Sequence, residues 1–465
     1  VVPLYEEESA RPTKAAILGA LSQALDLVEG QPEGHALRTC LIALKVADNL
    51  GLDPQTRADV FFASLLKDSG CSNNAVRIHK IFGGDEFLNK RAVKFIDWTN
   101  TFESLKFAIS HTERGKSLAT KLRRMVGNLG PPDKIMKEVT EARCTRGALI
   151  SRKLGFGPQV AAGIQHLDEH WDGKGAPVGI RGEEIPIVAR VVGLAQTFEV
   201  YLTAFGLTEA YDMLRSRSGR WFDPSVVSAC IALEHDREAW RAFGEQAYES
   251  TLNVDLPDIT QEALDAEIDE ICEAFAMIID AKSQFTASHS DRVTRYSLGL
   301  ADWFGFSAAR TQSLRRASLM HDIGKLAVPS GILEKPGRLD DDELKHIRSH
   351  PEVSERILSR VPTFSRIAEV AGAHHERLDG KGYYKGKTGN ELDLEMRILT
   401  ASDVFDALTA KRPYRDPIPV EEVIGMMQKE SGTAFDPEVV KGLKELYIDG
   451  KSTDQETVEH LKRAA

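Results

Sequence analysis

Seven side chains in the second half of this 465-residue sequence belong to types that bind metal ions: His289, the pair His321-Asp322, His350, the pair His374-His375, and Asp403. Neutral imidazoles and carboxylates together suit borderline divalent cations such as iron, manganese or zinc, and seven donors are too many for one ion but enough for two that share a carboxylate. Two adjacent cations suit the cleavage of an anionic phosphodiester. They ease the loss of a proton from water and offset the charge on the phosphoryl oxygens. Lys325 lies three positions beyond Asp322 and returns to the same face if that stretch is helical, which makes it a candidate phosphate clamp or proton donor. Any one of these histidines alone is better read as a surface or satisfied core residue, and His346, one turn before His350, is assigned to the surface. The ordered set is what argues for a site.

Such a set must be held by helices. Stretches such as AEIDEICEAFAMIIDAKSQF and SDRVTRYSLGLADWFGF place apolar residues three and four apart, while strand-like alternation is scarce, so an all-α fold is expected. STLNVDLPDITQE, near residues 250–262, has a proline, acids and no helical stripe, and the domain boundary is placed there, giving 1–252 and 253–465. The two segments repeat one plan. His35 lies 32 residues before Lys67-Asp68, as His289 lies 32 before His321-Asp322. DGKG at 172–175 precedes Gln196 by 24 residues, as DGKG at 379–382 precedes Asp403. FDPSVV and FDPEVV each set an aspartate before a proline, suited to an N-cap and first helical position. From Lys67 to Asp172 the first half spans 105 residues, against 58 from His321 to Asp379. Matching LKFAISHTE to LKHIRSHPE sets His111 opposite His350 and divides the extra length into two insertions.

The words LMHDIGK, SHPE, HHERLDGKGYY and ASDVFDALTAKRPYR, in this order across roughly residues 265–445, resemble the HD-GYP family of the HD phosphohydrolase superfamily. The resemblance implies two tandem HD-type helical bundle domains. It also implies that His289, His321, Asp322 and Asp403 hold one metal, with Asp322 reaching a second held by His350, His374 and His375. Relatives with three metals carry a glutamate one turn before the first histidine; Phe285 stands there, which favours a dinuclear centre. Iron or manganese is expected, with zinc, nickel and magnesium left open. Asp322 and Lys325 take the catalytic roles, while Arg412, Arg415, Lys325 and Tyr383 would bind substrate, guanidinium forks matching phosphate oxygens. Tyr384 replaces the family's proline, which would loosen the name-giving loop. The implied reaction is hydrolysis of cyclic di-GMP to pGpG and on to GMP. No base-reading residue is evident, so another cyclic dinucleotide or nucleotide phosphate remains an alternative, as does a non-catalytic binding or scaffold role.

In the same register the first half is a degenerate copy. Lys67 replaces a histidine, Leu167 and Asp168 replace the histidine pair, and Gln196 replaces the last aspartate. Lys67 would occupy the place of a cation and pair with Asp68. His166 and His170, four apart, are read as an ordinary helix end in preference to a makeshift metal site. Residues 83–87 spell GGDEF, the signature of diguanylate cyclases, but NKRAVKFIDW downstream reads as helix, so the glycines are assigned to a turn with Asp85 and Glu86 at a helix start.

A hydrophobic content of 42%, charged content of 28% and formal net charge of −11 describe a globular chain and argue against a general nucleic-acid or membrane-surface binder. Five scattered cysteines without a C-x-x-C pair fit a reducing compartment. No stretch reads as spanning a membrane and no leader is evident, so a soluble cytoplasmic protein is expected. A GGDEF-domain or other signalling partner and a homodimer are left open.

Overall fold

A computed structural model of the chain describes residues 11–97, 100–112, 132–236, 261–283, 288–411 and 415–452, with isolated positions between and beyond them. The described residues are helical, joined by turns and isolated bridges with no strand among them, so the all-α expectation holds. The chain forms two compact units, Val1–Glu270 and Ile271–Ala465. The expected boundary at 252/253 lies outside the described residues.

The helix order is duplicated, and so is the packing. In the first unit His35–Asn49 packs on Pro54–Leu66 and on Ile187–Phe205, while Pro158–Gln165 packs on Pro54–Leu66, Ile187–Phe205 and Pro132–Lys153. In the second, His289–Trp303 packs on Ala308–Met320 and Leu394–Thr409, while Ser365–Gly372 packs on Ala308–Met320, Leu394–Thr409 and His350–Leu358. The FDP words do what their chemistry suggests. Asp223 accepts from Ser225 N and Asp436 from Glu438 N, each with proline following as the first helical residue. A second cation fixes each cap: Arg190 donates to Asp223 at 2.7 Å and Arg397 to Asp436 at 2.7 Å.

One helix among the described residues passes the length and composition test for a membrane span. Ile187–Phe205 is long and apolar enough to cross a membrane. Val188, Val191, Val192, Leu194 and Phe198 are buried inside the unit, which makes it the central helix of a protein core.

The pairing of His111 with His350 is overturned. Gly324 lies so close to the start of His350–Leu358 that a Cβ there would collide with the carbonyl oxygen of His350, and Gly70 lies in the same way against the carbonyl of Arg143. Arg143 therefore occupies the place of His350, and it precedes Asp172 by 29 residues as His350 precedes Asp379. His111 instead stacks on Phe107, ring centroids 3.9 Å apart. The local word match misled because the register shifts once, between Cys71 and Arg143, and not at two points around His111.

Candidate metal centre

Helix ends place most of the candidate ligands. His289 opens His289–Trp303, His321 caps the end of Ala308–Met320, and Asp322 leads into the 3-10 helix Ile323–Ala327. His350 opens His350–Leu358, His374 and His375 follow Ser365–Gly372, and Asp403 projects from Leu394–Thr409. Among these seven residues three groups form with mutual ligand-atom separations within 4.8 Å, His289, His321 and Asp322; His350, His374 and His375; and His321, His374 and Asp403; one further group, Glu29, Asp68 and Cys71, lies in the first unit.

Hydrogen bonds on the far side of each ring select its ligating form. His321 Nδ1 lies 2.7 Å from Ser318 O, His350 Nδ1 2.6 Å from Ile347 O, and His374 Nδ1 2.5 Å from Ala371 O. A carbonyl only accepts, so each Nδ1 carries the proton and, in the neutral ring, each Nε2 keeps its lone pair. His350 Nε2 and His374 Nε2 then face one another at 3.0 Å, an arrangement of two lone pairs that calls for a cation.

Asp322 stands between the groups. Its Oδ2 lies 3.4 Å from both His289 Nε2 and His321 Nε2, while its Oδ1 lies 3.3 Å from His350 Nε2 and 3.6 Å from His374 Nε2. Asp403 Oδ1 lies 3.3 Å from His289 Nε2. His321 Nε2 and Asp322 Oδ1 are buried without a hydrogen-bond partner, a costly state unless a ligand satisfies them. Burial favours protonated carboxyls, but the neighbouring histidines, and Lys325 beside Asp322, outweigh it and hold Asp322 and Asp403 well below the usual carboxylate range. Burial pushes His350 and His374 below the ordinary imidazole range and His375 down to about 3. The donor set thus presents anionic carboxylates at Asp322 and Asp403 and neutral imidazoles at His350, His374 and His375, as divalent cations require.

Two functional residues escaped the sequence reading. Asp406 Oδ2 accepts from His289 Nδ1 at 2.7 Å, and Arg292 grips the same carboxylate at 2.6 and 3.0 Å. This is the carboxylate–histidine pairing that orients metal ligands. Burial disfavours charge on His289, yet Asp322, Asp403 and Asp406 together raise its pKa well above the ordinary value. The available signal was periodicity: Asp406 lies one turn after Asp403, and Arg292 one turn after His289. The first unit repeats the device, with His35 Nδ1 on Glu199 and Arg38 Nε 2.7 Å from the same carboxylate.

Of the remaining candidates, Lys325 returns to Asp322 with Nζ 2.5 Å from Oδ2. Tyr383 stacks on His375, centroids 4.8 Å apart. Arg415 donates to the Ala407 and Leu408 carbonyls at 2.7 and 3.0 Å, at the end of Leu394–Thr409. Arg412 and Phe285 lie outside the described residues. His346 is on the surface, bonded to Asp342 O. The loop around Tyr384 is tied down, against the expectation that losing the proline loosens it. The Tyr384 hydroxyl donates to Glu355, and buried Glu376 accepts from the backbone of Lys385, Gly386 and Lys387.

In the first unit protein cations stand where the second offers metal ligands. Lys67 Nζ lies 2.9 Å from His35 Nε2 and pairs with Asp68, as its position suggested. Arg143 pairs with Asp168, the counterpart of His375. His166 and His170 belong to no metal-competent group among the described residues, and His170 stacks on Trp221. In GGDEF, Gly83 and Gly84 take φ near 65° and 63°, and Asp85 caps Glu86–Val93, so the word links two helices and forms no hairpin.

The HD domain family pattern matches residues 132–226 and 273–439, one stretch in each half. The chain is 39% identical over 426 residues to 3'3'-cGAMP-specific phosphodiesterase 3 of Vibrio cholerae, covering 91% of this chain and 92% of that protein. It is 36% identical to a cyclic di-GMP phosphodiesterase of Thermotoga maritima, but over only 40% of this chain and 50% of that protein. The crystal structure of a cyclic GMP-AMP-specific phosphodiesterase from Vibrio cholerae matches with a TM-score of 0.65 and 35% identity, over 93% of this chain and 97% of that one. The expectation of cyclic di-GMP as the substrate is thereby corrected, because the similarity that spans both halves is to cyclic GMP-AMP enzymes. The physical reason is that ligand motifs report the cleavage of a phosphodiester, which is common to all cyclic dinucleotides, and carry nothing about the bases. With matches in both halves and a relative aligned across nearly the whole of both sequences, the chain belongs to the HD-domain family, among its HD-GYP-like phosphodiesterases.

Proposed function

We propose that the carboxy-terminal half hydrolyses 3'3'-cGAMP at a centre of two divalent cations and that the amino-terminal half is not catalytic. The observation that carries the substrate is the relative named for 3'3'-cGAMP, aligned over 91% of this chain and 92% of its own length. His289, His321, Asp322 and Asp403 would hold one cation and Asp322, His350, His374 and His375 the other, a donor set suited to iron or manganese. When bound, such cations supply an acidified water and charge compensation at the phosphodiester.

The chain's own groups do the positioning. Asp322 presents one oxygen to each histidine group, and Asp406 accepts a hydrogen bond from His289 Nδ1 so that Nε2 faces inward. The Lys325 ammonium beside Asp322 is placed to hold a phosphoryl oxygen or to return a proton to the departing oxygen. Tyr383 offers an aromatic face beside His375, and Arg412 and Arg415 are assigned to the substrate's second phosphate. All five cysteines are free and buried, which supports a reducing compartment such as the cytoplasm.

The test is product chromatography with manganese- or ferrous-loaded full-length protein and a panel of 3'3'-cGAMP, cyclic di-GMP and cyclic di-AMP. A preference for 3'3'-cGAMP of roughly tenfold or more is expected, lost in Asp322→Ala. Equal or faster turnover of cyclic di-GMP, or none of any dinucleotide, overturns the reading.

A further inference from the structure

The degenerate half has lost metal ligands but has not closed up. A cavity of about 1000 Å³ opens inside the first unit, lined by Arg143, His170, Trp171, Arg190, Gln196 and Trp221 among others. That volume is at the upper end of small-molecule sites. Two features distinguish it from a remnant left by decay.

The first is charge. Arg143, at the place of His350, projects a guanidinium into the cavity wall, and Lys90, Lys94 and Arg190 line the same space. Three of them are anchored by an acid, Arg143 by Asp168, Arg190 by Asp223 at 2.7 Å and Lys94 by Glu29 at 3.4 Å, whereas Lys90 is fully engaged by Glu29 and the Val28 and Cys71 carbonyls. Anchored cations are preorganised for a phosphate, since their side chains have already lost their freedom. Lys67, which does not line this space, stands at the position of the ligand His321 and pairs with Asp68. Positive charge is therefore built into the protein without the ions that would activate water.

The second is the wall itself. Trp221 stacks on His170, centroids 4.3 Å apart, and carries the Arg217 guanidinium 3.8 Å from its ring centroid, while Arg190 lies 5.8 Å from the Trp171 centroid. Rigid aromatic faces beside cations are the combination that holds bases and their phosphates. Four buried polar atoms of lining residues have no partner: Gln196 Oε1, Trp221 Nε1, His170 Nδ1 and Arg190 Nε. Gln196 stands where the second unit has the ligand Asp403, so an amide able to pair with a base edge or ribose replaces a carboxylate.

We infer that the amino-terminal unit binds a phosphate-bearing nucleotide in this cavity, without metal and without hydrolysing it. The inference does not depend on the substrate of the carboxy-terminal half. Two sources would supply this chemistry, the intact cyclic dinucleotide or a linear or mononucleotide product.

The test uses full-length protein stripped of metal by chelation and carrying Asp322→Ala, so that no turnover occurs. Equilibrium dialysis with 3'3'-cGAMP, its linear dinucleotide and GMP is expected to show one site per chain for at least one probe. Tightest binding of 3'3'-cGAMP identifies substrate, and tightest binding of GMP or the linear form identifies product. Trp171→Ala and Lys94→Ala should each weaken binding roughly tenfold, the scale of one lost stacking or charge contact, with circular dichroism and unfolding midpoint showing that both variants fold. Absence of binding by all three probes overturns the inference. So does binding that survives both folded variants but is lost on His375→Ala, which would place the nucleotide in the other half.

Discussion

At the scale of single residues, the centre depends on groups that touch no substrate. Asp406 and Arg292 hold His289 from behind, just as Glu199 and Arg38 hold His35, although the first unit has lost most of its ligands. The pairing joins His289–Trp303 to Leu394–Thr409, and His35–Asn49 to Ile187–Phe205, so it also ties those packed helices together. Asp406→Asn is expected to leave the fold intact and to lower metal affinity and kcat roughly 10- to 100-fold, as found for outer carboxylates of metal sites. Manganese titration and steady-state kinetics on the same preparation check it. An unchanged metal affinity would mean that Asp406 acts on packing alone.

At the scale of elements, the approach of the HDIGK turn to the helix His350–Leu358 brings the two ligand groups together. Gly324 N donates to Ser354 Oγ at 2.9 Å, Ser354 Oγ donates to His321 O at 2.7 Å, and no Cβ fits between Gly324 and the His350 carbonyl. Gly324→Ala must therefore push that helix away and carry His350 with it. The expected cost is about 1–3 kcal/mol, the usual range for overpacking, with a larger fractional loss of activity than of stability. Denaturant unfolding measures the first and turnover the second. Retention of full activity in a destabilised variant would show that the helix relaxes without moving its histidine.

At the scale of the molecule, one plan has two electrostatic solutions. The second unit gathers carboxylates and imidazole lone pairs whose mutual repulsion calls for added cations, whereas the first supplies Lys67 and Arg143 as its own. Ligand binding stabilises only the state that binds, so metal should stabilise the units unequally. In thermal unfolding of chelated protein, added manganese is expected to raise the midpoint of one transition and leave another in place. Asp322→Ala should abolish the shift and Asp68→Ala should preserve it. Equal shifts of every transition, or a shift that depends on Asp68, would contradict the asymmetry.

The sequence by itself determined the helical class, the duplication and the seven candidate ligands, because these follow from local periodicity, residue chemistry and spacing between anchors. It also placed GGDEF on a turn between helices, since neighbouring residues decide whether two glycines close a hairpin or end a helix. Only the tertiary structure decided that Arg143, and not His111, stands opposite His350, because that register depends on a close backbone approach with no sequence word of its own. It alone revealed Asp406 and Arg292, whose roles exist only once two helices distant in sequence are packed together. The cavity of the first unit is of the same kind. Lost ligands are visible in the letters, but whether their space collapses or stays open depends on how the surrounding helices pack.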